Sequence, residues 1–208
     1  ARAPQLTEAL AYLFSGKVTD DRLNGLTLVA GLTWAEVDML RAYMRYSRQN
    51  GMKLSVLRMT EIMLSHPIMF GSLTRLFRAK FDPDLAIDGT RNRAFQVAEA
   101  TQTVTDELRY IQAHDEDLLV STVRNLIEST VRTNFYRNDR TNWYLSFKFD
   151  ASKVRMMNPN RPMFEIYVHA RDVEGVHLRF GKVARGGIRW SDRDDYRTEV
   201  LGLVTTQR

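Results

Sequence analysis

Cysteine is absent from this 208-residue chain, and that one gap removes a disulfide framework, a thiolate metal site and a cysteine nucleophile together. A reducing compartment suits such a composition without being required by it. No apolar run approaches the roughly 20 residues needed to cross a bilayer, and the first residues carry no secretory signal, so a membrane protein is not expected. Histidine is scarce. His66, His114, His169 and His177 are the whole set, and no pair has helical metal-ligand spacing, so zinc is not expected. Gly-x-Ser-x-Gly, Walker A and Gly-x-Gly-x-x-Gly patterns are missing too. Serine hydrolysis, phosphate-loop chemistry and a dinucleotide-binding domain within these residues therefore lack support. Against these gaps stand a 44% apolar share and 26% charged residues, the balance of a soluble globular chain and not of a disordered one.

The net charge of +5 is unevenly spread. Residues 1–141 hold eighteen basic and seventeen acidic groups, whereas residues 142–208 hold twelve and eight. Arg179, Lys182, Arg185 and Arg189 fall within eleven residues that contain no acid. No nucleic-acid module or long basic stripe accompanies this cluster, so nucleic-acid binding is not expected. The chain opens at Ala1 without methionine and closes at Arg208 inside what reads as a helix, Tyr196 to Val204, which leads us to expect a piece of a longer polypeptide.

Up to about residue 138 the pattern is helical. Thr33-Trp34-Ala35-Glu36 is a capping-box sequence, and the helix it opens should run to about Asn50, with Gly51 as a left-handed cap. Val37, Leu40 and Met44 form its apolar stripe. A second helix is expected after Ser55, broken at His66-Pro67 because proline removes a donor and clashes with the preceding turn. A third reaches about Lys80, and Asp82-Pro83-Asp84 and Asp88-Gly89 read as a loop. Two long helices are expected over 92–113 and 115–136. In the second, Leu119, Val123, Leu126, Ile127 and Val131 make the stripe, and Asp115, Glu116 and Asp117 oppose the helix dipole. Met52, Met59, Met63 and Met69 read as helix core.

Asn138-Asp139-Arg140-Thr141-Asn142 marks a boundary, giving a helical region over 1–138 and a second unit over 139–208. In that unit Trp143–Phe149, Met163–His169 and Val176–Phe180 are strand-forming, with loops at Asn158–Pro162 and Asp172–Gly175. The fold class is therefore α+β, a helical region followed by the opening strands of an α/β substrate-binding domain. His169 and His177 are expected as a structural pair across a hairpin. If Val176 to Trp190 is extended, Arg179, Arg185 and Arg189 share one face, and Gly186-Gly187 leaves backbone uncovered beside Arg185. Such a face can receive an anion through the planar fork of arginine. Equally, the arginines can pair with Asp192, Asp194 and Asp195, and the glycines can mark a bulge. These aspartates, following Ser191, also suit the start of the last helix.

The run from Arg161 through Val204 closely resembles the large-subunit, NAD-specific bacterial glutamate dehydrogenases. The likeness is carried by Val173-Glu174-Gly175-Val176-His177-Leu178-Arg179 and by Ala184-Arg185-Gly186-Gly187-Ile188-Arg189-Trp190-Ser191-Asp192-Arg193. The helical two-thirds looks like the region that precedes the catalytic domain in those enzymes. The resemblance implies reversible oxidative deamination of L-glutamate to 2-oxoglutarate and ammonia with NAD, in long cytoplasmic subunits that form homo-oligomers. In the wider family a basic residue followed by Gly-Gly and then Leu or Ile-Arg sits at the substrate pocket. That motif falls here on Arg185, Gly186, Gly187, Ile188 and Arg189, with Arg185 where the smaller enzymes have lysine.

By the same resemblance, the catalytic lysine with its lowered pKa and the NAD domain belong to sequence beyond Arg208. The six lysines present do not stand in the family's catalytic motif. No catalytic, cofactor-binding or metal residue is therefore expected here. Arg185, Gly186, Gly187 and Arg189 are the substrate-binding candidates, and the isolated chain should be inactive. The alternative is a helical structural, oligomerisation or regulatory-linker module with no activity of its own.

Overall fold

The helical region begins with α1 (Ala3–Phe14), a 3-10 turn (Arg22–Gly25) and the short α2 (Leu26–Val29). These lead into α3 (Trp34–Gln49). In the computed structural model, which describes residues 3–85, 92–137, 141–157, 161–189 and 195–207, the expected capping box opens α3. The Glu36 amide donates to Thr33 Oγ1 at 3.3 Å, and the Thr33 amide donates to Glu36 Oε2 at 2.9 Å. Gly51, with φ +94°, closes the helix, because only glycine takes that conformation without steric cost. α4 (Val56–Ser65) and α5 (Pro67–Phe81) are separate helices broken at His66, with Pro67 in the first turn of α5, where its missing donor costs nothing. α6 (Arg93–Leu108) and α7 (His114–Ser129) complete the helical part.

Both long helices are shorter than the periodicity predicts. α6 stops at Leu108, and α7 stops at Ser129, where Thr130–Thr133 becomes strand β1. Val131, assigned to the helical stripe, lies in β1 and is exposed. β-Branched residues at 130, 131 and 133 favour the pleat, and pairing with the strand that follows supplies their backbone partners. Lys80 fixes the end of α7, its ammonium donating to the carbonyls of Ile127, Glu128 and Thr130 at 2.8, 2.7 and 3.1 Å. Burial lowers the pKa of that ammonium to about 8.

The remaining strands are β2 (Leu145–Asp150), β3 (Phe164–His169), β4 (Glu174–Phe180) and β5 (Val183–Arg189), followed by α8 (Tyr196–Thr205). They form a five-stranded antiparallel sheet in the order β1-β2-β3-β4-β5, so the α+β class with helices first is as expected. The expected loops and capping residues at Asp88-Gly89, Asn138–Arg140, Asn158–Asn160 and Ser191, Asp192 and Asp194 lie outside the described residues. Asp195 stands at the N-cap of α8 without a side-chain hydrogen bond to its first turn.

Period-two alternation gives the sheet two unlike faces. The inner face carries Leu145, Phe147, Phe149, Tyr167, Val176 and Leu178, all buried. It packs on α3, where Tyr46 stacks on Phe149 at 4.5 Å and Tyr43 meets Phe147 at 4.7 Å between ring centroids. α3 is thus covered on nearly every side, and its charged residues must find partners inside. Arg41 donates to Asp38 at 2.7 Å and to Asp21 at 2.8 and 2.9 Å. The other Asp38 oxygen accepts from Trp143 Nε1 at 2.6 Å, and His169 Nε2 lies 3.3 Å from Asp38. Burial works against the Asp38 charge, yet His169, Arg41 and Trp143 outweigh it and hold the carboxyl well below the usual range.

Candidate functional site

Every predicted site residue lies on β5, an edge strand of the sheet. A two-residue turn, Gly181-Lys182, separates β5 from β4, with Phe180 paired to Val183 and Gly181 at φ +70°. This turn corrects one expectation. Arg179 pairs with Ala184, so it projects from the face opposite Arg185 and Arg189, because the chain reverses between them. The expected histidine pair is absent for a similar reason. His169 faces Glu174 and is buried on the inner side, while His177 faces Ile166 and is exposed on the outer.

The two glycines of β5 serve different contacts. A Cβ on Gly186 would lie 2.6 Å from the Val176 carbonyl oxygen and 3.0 Å from His177 Cα, closer than the paired strand permits. On Gly187 it would lie 2.5 Å from the hydroxyl of Tyr196, the first residue of α8. Gly186 therefore admits β4 and Gly187 admits α8. Both glycines border a shallow cavity of about 270 Å³ on the outer face, with Ile166, Val168 and Ile188.

Arg185 and Arg189 share the inner side but not an environment. The Arg185 side chain is exposed, and its Nη1 donates to the Ala184 carbonyl at 2.7 Å. Arg189 is 9% exposed. Its Nη2 donates to Glu174 Oε2 at 3.2 Å, and its guanidinium carbon lies 5.4 Å from the centre of the Tyr196 ring. Arg189 Nε and Nη1 are buried without a hydrogen-bond partner among the described residues. Arg189 also lines a cavity of about 260 Å³ together with Arg45, Arg48, Gln49 and Glu174. Arg185 lines neither this cavity nor the outer one. The four candidates thus occupy one strand without converging on one pocket.

The groups that hold this strand escaped sequence reasoning. Glu174 sits opposite Arg189 in register and also receives Gln49 Nε2 at 3.3 Å, with Arg45 Nη1 at 3.6 Å from its other oxygen. Gln49 Oε1 accepts the Arg197 amide at 3.0 Å. Arg197 then forks onto Glu165 with two bonds of 2.7 Å. Burial pushes the Glu165 carboxyl up, and the Arg197 fork opposes that push. Glu174 did stand in a recognisable motif, but Gln49 and Arg45 carry no local signal of a partner more than a hundred residues away.

Residues 103–208 match the family model for the bacterial NAD-glutamate dehydrogenase catalytic domain, and residues 18–83 match that for glutamate dehydrogenase helical motif 3. The NAD-specific glutamate dehydrogenase of Mycobacterium tuberculosis (strain H37Rv) is 40% identical over 212 residues, covering 100% of this chain and 13% of that protein. The enzyme of the same name from Halomonas elongata is 40% identical over 205 residues, 97% of this chain and 12% of its own length. That of Pseudomonas aeruginosa is 38% identical over 209 residues, 98% and 13%. The chain spans about an eighth of the length of these curated relatives.

Proposed function

Since the chain belongs to the bacterial NAD-glutamate dehydrogenase family, we propose that it is part of an enzyme converting L-glutamate, water and NAD to 2-oxoglutarate, ammonium, NADH and a proton. Within it, residues 139–208 open the substrate-binding domain and residues 1–138 form the helical region before it. Arg185, Gly186, Gly187 and Arg189 are its substrate-binding residues.

The observation that carries this reading is the state of Arg185. Its guanidinium is exposed at the sheet edge and, among the described residues, meets a single acceptor on its own strand. A neutral carbonyl is a weaker partner than a carboxylate, so a substrate carboxylate can take the fork with two charge-assisted bonds. Gly186 and Gly187, which add no side chain of their own, let β4 and Tyr196 close in on the strand beside Arg185. Arg189, fixed on Glu174, contributes from behind by holding the end of the strand.

The residues present do not fit the dinucleotide. Its pyrophosphate is held where a glycine-rich turn runs into a helix N-terminus, whereas Gly186 and Gly187 lie mid-strand and Tyr196 occupies the space beside Gly187. We therefore assign NAD binding, and the proton transfers of amine loss, to parts of the enzyme outside this chain. The purified chain should form no NADH from glutamate; turnover free of contaminating enzyme refutes that. In the complete enzyme, Arg185→Met should raise the glutamate KM or lower kcat strongly, and unchanged kinetics removes Arg185 from the pocket.

A second role is favoured by an apolar patch on the helical region. Ile68 is 74% and Tyr110 85% exposed beside a groove of about 550 Å³ that includes Pro67, Met69 and Ile111. Helices with such a face pack between regions or subunits, which suits a cytoplasmic homo-oligomer. Ile68→Glu in the complete enzyme should shift the oligomer equilibrium in analytical ultracentrifugation; an unaltered distribution removes this face from the interface.

A further inference from the structure

The C-terminal turn of α3 reaches both Glu174, the partner of Arg189, and the first turn of α8. Gln49 is 4% exposed, and its amide works in two directions. The NH2 group donates to Glu174, the carboxylate that holds Arg189 at the end of β5. The oxygen accepts from the Arg197 amide in the first turn of α8. Residues 190–194 join these two anchor points. Arg45, one helical turn earlier on the same face of α3, lies 3.6 Å from the second Glu174 oxygen.

We propose that Gln49, seconded by Arg45, is a positioning residue for glutamate. It acts through Glu174 on Arg189 and through the Arg197 backbone on α8, so that a shift of α3 moves the end of the substrate strand. This rests on the assignment of β5 to the substrate site. The chemistry explains the residue type. An uncharged amide presents a donor to a carboxylate and an acceptor to a backbone N–H from one rigid group. Glutamate at this position would repel Glu174, and an apolar residue would leave the Arg197 amide and part of Glu174 unsatisfied in a buried place. The helical region thereby acquires a mechanical link to the substrate strand that needs no contact with substrate.

The test uses the complete dehydrogenase carrying this segment. With Gln49→Glu the glutamate KM should rise on the order of ten-fold while the NAD KM stays within about two-fold. The melting temperature should hold within about 4 °C. Combining Gln49→Glu with Glu174→Gln keeps the charge of the cluster, again sets a donor against an acceptor, and should recover most of the glutamate KM. Gln49→Met removes both hydrogen bonds without adding charge and should raise the same KM, which covers the case in which repulsion blocks folding. An unchanged glutamate KM in a folded variant overturns the proposal. So does a fall in kcat with both KM values intact, because that pattern reports only less folded enzyme. Failure of both single variants to fold assigns Gln49 a purely structural role and equally overturns it. A wild-type enzyme that makes no NADH from glutamate sinks the functional reading and this inference together; an active wild type with unaltered variants sinks only this one.

Discussion

Arg185 and Arg189 leave the same side of the same strand, four residues apart, and meet opposite surroundings. Near the Gly181-Lys182 turn, Arg185 is in solvent with one neutral acceptor on its own strand. At the other end Arg189 is buried against Glu174 and Tyr196, under a cluster that α3 and α8 assemble. One strand therefore has a tied end and a free end. A rigid strand with one loose cation suits recognition better than two loose ones, because the entropy of ordering the strand has already been spent in folding. The same contrast separates the sheet's faces. Apart from the Arg185 end, the inner face is closed over by α3 and α8, and the outer one shows Ile188 at 72% exposure.

Changes at the tied end should cost the most. Arg197→Met strips Glu165 of its partner inside the seam, and we expect a loss of about 3–5 kcal/mol in urea unfolding. A loss no larger than for a surface substitution would mean the seam is wet and the contrast false.

Asp38→Asn removes the charge facing Arg41 and His169 and should cost about 3 kcal/mol. The Asp38 carboxyl has a lower pKa folded than unfolded, so its stabilisation is complete above the ordinary aspartate pKa of about 4 and is lost as pH falls below that. The acid limb of the wild-type stability curve should consequently be steeper than that of Asp38→Asn. Parallel limbs would contradict the depressed pKa.

Smaller effects are expected in mid-strand, and they should differ between the glycines. Gly186→Ala meets backbone that cannot move aside and should cost about 1–3 kcal/mol. Gly187→Ala meets only the Tyr196 hydroxyl, so Tyr196→Phe should restore the stability that Gly187→Ala loses. Equal costs with no recovery would show that α8 does not seat on Gly187.

What could be read beforehand divides along the same line of local against distant. The Thr33–Glu36 capping box, the Gly51 cap and the Pro67 break depend on a few adjacent residues, and each stands where the sequence places it. The end of α7 does not, because Val131 continues the helical stripe while pairing with a strand some fifteen residues on decides its state. The placement of the candidate residues divides in the same way. A motif singled out Arg185, Gly186, Gly187 and Arg189, and all four lie on β5. The turn that puts Arg179 on the other face was missed, because the run from Val176 reads as extended throughout. Gln49, Glu165 and Arg197 were invisible, since a buried charge looks like a surface charge until its partner is known.

The most direct test of the free end is Arg185→Met beside Arg189→Met in the complete enzyme, each measured for glutamate KM and melting temperature. We expect Arg185→Met to raise the glutamate KM strongly while stability stays within about 0.5 kcal/mol of wild type, and Arg189→Met to lower the melting temperature as well. An Arg185→Met enzyme with the wild-type glutamate KM, or one that loses as much stability as Arg189→Met, would contradict the account.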